Sequence, residues 1–149
     1  MSLSIMRRVK FCAGHRLVGH EGKCAHLHGH NYVAEFYVTG DGVDSVGRVI
    51  DFSVLKTTLK GWIDEHWDHG FVVYEKDDNA IDLLEQAIPR RFYTLPYNPT
   101  SENLARYLLD EVCPKLLQPL GVICDRVVIW ESDESCAAAC REVGAKRGK

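Results

Sequence analysis

Two runs of alternating side chains constrain this chain more than any other feature. Across residues 6–15 the odd positions Arg7, Val9, Phe11, Ala13 and His15 share one face, with Arg8 and Lys10 opposite. Across residues 28–38 the even positions His30, Tyr32, Ala34, Phe36 and Val38 do the same, against Asn31 and Glu35. A period of two marks a β-strand with one buried face. In an antiparallel pair the end of the first run lies beside the start of the second. His15 then meets His28 and His30 on one face, while Cys24 stays in the connecting loop. Three imidazoles with an open fourth position is how a catalytic zinc ion is held. Iron, nickel and copper also accept imidazoles, so spacing alone leaves the metal open. His20 and His26 read as bystanders.

A length of 149 residues suits one domain, residues 1–149, with a core of its own. Apolar content of 46% and charged content of 26% are those of a soluble globular protein. The net charge is −3 and no long basic block occurs, which counts against a nucleic-acid binder. The ending Lys146-Arg147-Gly148-Lys149 reads as a solvated tail. No run approaches the ~20 apolar residues of a membrane-spanning helix, so no membrane partner is expected. The start of the chain lacks the pattern of a secretory signal. Six cysteines without a C-x-x-C pair then point to reduced thiols and to the cytoplasm.

Further along, Gly40-Asp41-Gly42 signals a turn, and residues 46–52 read as a third strand pairing back. Residues 53–67 change period: Val54, Leu55, Leu59, Trp62, Ile63 and His66 recur at helical spacing, with Asp51 or Ser53 as N-cap. Residues 70–99 read as a long irregular region with a short helix around 80–88. A second long helix starts at Thr100 or Ser101, with Leu104, Ala105, Leu108, Val112 and Leu116 as its stripe. Pro114 is expected to kink or end it. Residues 123–131 form a strand with Val127, Ile129 and Glu131 on one face, and a fifth extended piece lies beyond Ser135. The order predicts an α+β domain: a small antiparallel sheet with two helices packed on one face. Exposed sheet edges favour oligomerisation.

Acid–base candidates cluster in the same stretches. A thiol beside a cation or an imidazole ionises more readily than a free one, at about 8.5, which suits Cys24 to proton transfer. Asp68-His69 offers an oriented imidazole that relays a proton with that thiol. Glu131 continues an apolar strand face and needs partners there. An arginine satisfies it, and so does a ligand with two adjacent N–H donors, such as the 2-amino-pyrimidinone edge of a pterin or guanine. Thr100 and Ser101 are helix caps whose hydroxyls also suit a ligand. Cys12, Cys113 and Cys124 read as small buried fillers.

Taken together, His15, then Cys24-Ala-His-Leu-His28-Gly-His30-Asn, Gly47-Arg-Val-Ile-Asp51-Phe52, Asp68-His69, Pro99-Thr100-Ser101-Glu102-Asn103 and Trp130-Glu131-Ser132 closely resemble the 6-pyruvoyltetrahydropterin synthase family. The spacing Cys-x-x-x-His-Gly-His is similar to its 6-carboxy-5,6,7,8-tetrahydropterin synthase branch. Glu21-Gly22-Lys23-Cys24 and Ser135-Cys136-Ala-Ala-Ala-Cys140-Arg141 fit that branch too. The resemblance implies the tunnelling fold, with trimers stacked into a hexamer and sites at subunit interfaces. It implies Zn2+ on His15, His28 and His30, and Cys24 as proton acceptor. Asp68 and His69 would tune or relay the proton, and Glu131 would anchor a pterin ring and join the relay. The implied substrate is a pterin triphosphate, 7,8-dihydroneopterin triphosphate, on a route to queuosine and related deazapurines. Arg16, Lys23, Arg90 and Arg91 are candidates for holding the triphosphate. Gly70-Phe71-Val72-Val73-Tyr74, and the length of residues 70–99, depart from the family pattern. Alternatives on the same site are a pyruvoyl-type synthase, a dihydroneopterin side-chain aldolase and an inactive metal- or pterin-binding homologue.

Overall fold

In the computed structural model, residues 2–142 are described; the Lys146–Lys149 tail lies outside them. The two alternating runs form the long strands β1, Ser4–His15, and β2, His28–Gly40. They pair antiparallel along their whole length, with Ala13 opposite His30 and His15 opposite His28. Their shared face buries Val9, Phe11, Ala13, Tyr32, Ala34, Phe36 and Val38.

Helix α1, residues 52–66, follows. It has α-helical ends, Phe52–Leu55 and Gly61–His66, around a π-helical Lys56–Lys60. Its N-cap is Asp51, whose carboxylate accepts the Ser53 amide at 2.8 Å. Leu55, Leu59 and Ile63 line its buried face, but Val54 is exposed. The strand expected over residues 46–52 does not form. Asp44 instead accepts the amides of Val46 and Arg48 and the Arg48 Nε. Gly47 sits at φ 98° in that local turn. A side chain that captures neighbouring amides competes with a ladder, and Val46 is left 73% exposed.

Residues 70–99 are not irregular. They hold β3, Gly70–Tyr74, helix α2, Asp78–Glu85, and β4, Phe92–Leu95. β3 pairs parallel with β1, and β4 parallel with β3. The sheet is therefore mixed rather than antiparallel, in the order β4-β3-β1-β2-β5-β6. Parallel neighbours need a crossover, and α1 and α2 supply the two crossovers. The short helix expected around residues 80–88 forms as α2, beside the two long helices. α2 stands outside the main core, whereas α1 and α3 build it with the sheet.

Helix α3, residues 101–117, is capped by Thr100, whose hydroxyl accepts the Asn103 amide at 3.1 Å. It passes through a π-helical Leu108–Val112 and continues as Cys113–Leu117 despite Pro114. A widened turn just before a proline accommodates the missing N–H and the ring without ending the helix. Arg141 Nη2 donates to the Leu109 carbonyl there, at 3.0 Å. β5, Val122–Trp130, pairs antiparallel with β2, and β6, Cys136–Cys140, supplies the extended piece beyond Ser135. All six cysteines are free thiols.

Candidate metal centre and proton-relay dyad

The register of β1 and β2 gathers ligand atoms of His15, His28 and His30 within 4.8 Å of one another. His15 Nε2 and His28 Nε2 stand 3.0 Å apart. The other nitrogen of each ring settles the tautomer. His15 Nδ1 donates to the Pro99 carbonyl at 2.7 Å, and His28 Nδ1 to the His26 carbonyl at 2.6 Å. A carbonyl can only accept, so both Nδ1 atoms carry the hydrogen and both Nε2 atoms present lone pairs.

Burial pushes the His15 imidazole below its ordinary pKa, ahead of the repulsion from His28 and His30, and favours the neutral ring. His30 is also shifted down, chiefly by burial, and its Nε2 is buried without a hydrogen-bond partner. Lone pairs facing one another at 3.0 Å repel unless a cation lies between them. The donor set therefore fits a divalent metal ion of the kind bound by neutral imidazoles.

The surroundings hold this arrangement in place. The Leu17 amide donates to the Cys24 carbonyl at 2.8 Å, folding the loop over the end of β1. Asn98 exchanges two hydrogen bonds of 2.9 Å with the Val18 backbone, and the Asn103 amide group donates to the Asn98 carbonyl. That mesh aims the Pro99 carbonyl at His15. Tyr32, one step further along the face of His28 and His30, places its hydroxyl 3.3 Å from His15 Nδ1. Burial first, then the Glu131 and Cys24 groups, push the Tyr32 hydroxyl above its ordinary pKa. The sequence alone assigns Tyr32 and Pro99 no role beside the histidines. Parity alone marks Tyr32, whereas nothing local marks a carbonyl that arrives from another loop.

Glu131 lies one residue past β5 and keeps the parity of Val127 and Ile129. Its Oε1 is 3.2 Å from His30 Nε2 and 3.6 Å from His15 Nε2. Among the described residues its close neighbours are these imidazoles, and no arginine pairs with it. Cys24 sits half-buried in a 3-10 turn, Lys23–Ala25, and is not one of the three clustered ligands. The Thr100 hydroxyl is used as a cap, whereas the buried Ser101 hydroxyl has no partner.

Asp68 and His69 occupy a different place. His69 Nδ1 is 2.8 Å from Asp68 Oδ2, and the ring is 78% exposed. Asp68 Oδ1 accepts the Cys12 amide at 3.0 Å, and the His69 amide donates to the Cys12 carbonyl at 2.7 Å. Cys12 has the opposite strand parity to His15, so its side chain lies on the other face of the sheet. Burial raises the Asp68 carboxyl, but the Cys12 amide and His69 outweigh it and hold the group below its ordinary range. Within one chain Cys24 joins neither dyad residue in a cluster.

The basic candidates divide as well. Arg16 is committed to the buried Asp77 through Nε at 2.7 Å and Nη2 at 2.5 Å. Arg91 donates to the carbonyls of Asp68, at 2.8 Å, and Asp64, closing the end of α1. Neither is free to grip a triphosphate. Lys23 and Arg90 are exposed, and among the described residues neither is in an ion pair. Arg90 borders a cavity of about 340 Å³ shared with Glu65, His66, Arg91, Phe92 and Tyr93.

Comparison with known proteins agrees with this architecture. A family model described as 6-pyruvoyl tetrahydropterin synthase matches residues 4–142. A relative from Rickettsia bellii named 6-carboxy-5,6,7,8-tetrahydropterin synthase is 37% identical over 126 residues, covering 85% of this chain and 91% of its own. An uncharacterised protein from Wolinella succinogenes superposes with a TM-score of 0.82 at 25% identity, covering 95% of this chain and 99% of its own. A 6-pyruvoyltetrahydropterin synthase from Plasmodium vivax shares the fold at a TM-score of 0.71 and 20% identity, over 96% of this chain and 99% of its own. The α+β architecture is thus the tunnelling fold of those proteins.

Proposed function

The chain belongs to the 6-pyruvoyl tetrahydropterin synthase family, and we propose that it is a 6-carboxy-5,6,7,8-tetrahydropterin synthase. In this reading it converts 7,8-dihydroneopterin triphosphate and water into the carboxypterin, acetaldehyde and triphosphate, on a route to queuosine. The observation that carries it is the convergence of three histidines while Cys24 stays outside their cluster. Relatives bearing that name, similar over most of the chain, support the same branch.

His15, His28 and His30 would hold zinc, which when bound polarises side-chain oxygens of the substrate and eases loss of adjacent carbon-bound protons. Cys24 takes such a proton, and an imidazole oriented by a carboxylate returns it. Since Cys24 does not cluster with Asp68 and His69 within one chain, the relay pairs Cys24 with the partner subunit's His69, held by the partner's Asp68. The exposure of His69 and the open sheet edges favour that homo-oligomer, a hexamer of stacked trimers.

Glu131 receives the paired N–H donors of the pterin ring at the edge of the imidazole cluster. The orphaned Ser101 hydroxyl and the remaining hydrogen of the Thr100 hydroxyl are further contacts for the substrate. Lys23 and Arg90 are the basic residues left for the triphosphate. No helix among the described residues is long and apolar enough to cross a membrane.

The deciding experiment incubates the purified protein with 7,8-dihydroneopterin triphosphate, with and without a chelator, and identifies products by mass. Acetaldehyde and the carboxypterin, lost on chelation, are expected. A pyruvoyl product, or no turnover, overturns the assignment.

A further inference from the structure

Cys12 is not the buried filler its sequence context suggests. It is half-exposed, and its thiol stands with Asp68 and His69. One ligand-capable atom of each residue lies within 4.8 Å of the other two. Tetrahedral zinc, with bonds of about 2.0–2.3 Å, sets neighbouring donors roughly 3.3–3.8 Å apart, a spacing these side chains reach by small rotations. The geometry points to a second divalent-cation site, formed by Cys12, Asp68 and His69 and separate from the three-histidine centre.

Three features argue for it. The donors are pre-assembled, because the Cys12 backbone holds both partners: its amide binds Asp68 Oδ1 and its carbonyl binds the His69 amide. His69 adopts φ 60°, a left-handed conformation uncommon for a non-glycine residue, and from it Nδ1 stands 2.8 Å from Asp68 Oδ2. The set of sulfur, nitrogen and carboxylate oxygen suits borderline cations such as zinc and cobalt rather than magnesium or calcium.

On binding, the Cys12 S–H bond breaks, its proton leaves to solvent, and the sulfur lone pair forms the bond to the cation with no change of oxidation state. The cation also takes up the Nδ1 lone pair of His69, freed when the hydrogen now facing Asp68 Oδ2 leaves Nδ1 and the neutral ring carries its hydrogen on Nε2 instead. If His69 relays protons as proposed above, an occupied site is an inhibited one. That consequence rests on the proposed function, whereas the binding itself does not.

Cobalt(II) titration of the metal-stripped protein separates the two. A three-imidazole centre has no thiolate ligand, so a near-ultraviolet thiolate-to-cobalt charge-transfer band reports the second site alone. Wild type is expected to bind about two cobalt ions per chain and show the band. Cys12→Ser and His69→Asn, a residue that tolerates the left-handed backbone, should each lose the band and fall to about one ion per chain. Cys24→Ser should keep it. Absence of the band in wild type, its survival in Cys12→Ser or its loss in Cys24→Ser overturns the site. Excess zinc should inhibit wild type and spare Cys12→Ser, and equal inhibition of both overturns the inhibitory role. A band without pterin turnover sinks the proposed function and leaves the site standing.

Discussion

The three-histidine cluster and the Asp68–His69 dyad use similar residues in opposite ways. The cluster is built on paired strands, with His15 only 1% exposed and the Nδ1 atoms of His15 and His28 tied to backbone carbonyls. The dyad lies in the turn before β3, on an unusual backbone, with its imidazole in solvent. Every group that orients the cluster comes from the same chain. Cys24, in the loop of residues 17–24, does not cluster with the dyad within one chain. A group that must hold an ion benefits from rigidity and a dry setting, whereas one that must meet a neighbour benefits from exposure.

Removing a ligand tests the cluster most severely. His15→Ala deletes both a lone pair and the contact to Pro99, so metal affinity should fall by more than about 100-fold, with turnover lost. Retention of a full equivalent of metal by elemental analysis would place the ion elsewhere.

Cys24→Ala should lose about 10²–10⁴-fold in turnover while keeping its metal, since it removes an acid–base group only. The comparison sharpens when Cys24→Ala and His69→Ala chains are unfolded and refolded together. If the relay spans two copies, roughly a quarter of the sites regain both groups in a symmetric assembly. No recovery would put thiol and imidazole in one chain.

A smaller effect concerns the Arg16–Asp77 pair that ties the end of β1 to α2. The Arg16 hydrogen bonds hold the Asp77 carboxyl below its ordinary range, against its burial. Its contribution is therefore complete above the unfolded value, about 3.9, and is lost as pH falls through the lower native value. Asp77→Asn should lower stability by roughly 1–3 kcal/mol near neutrality. The gap to wild type should close below about pH 4, measured by thermal melting. A gap that widens on acidification would contradict the sign.

The smallest change is Lys60→Ala, which breaks an exposed pair with Asp64 on α1. It should cost only about 0.3–0.5 kcal/mol in denaturant titration and leave metal content untouched.

Local periodicity carried much of this protein. Strict alternation over residues 6–15 and 28–38 is enough to place His15, His28 and His30 on one face, because a strand allows side chains only two directions. Asp51 and Thr100 likewise announce α1 and α3 through side chains that serve the nearest amides. What sequence could not supply came from contacts between distant segments. Phe71-Val72-Val73-Tyr74 and Phe92-Tyr93-Thr94-Leu95 are too short to show a period, and their strand character comes from pairing, the first with β1 and the second with the first. Residues 46–52 look like a strand until Asp44 captures their amides. The Pro99 carbonyl on His15, the commitment of Arg16 to Asp77 and the meeting of Cys12 with Asp68 and His69 join residues more than fifty positions apart. Pattern fixes which way a side chain points, and tertiary closure alone decides what it meets there.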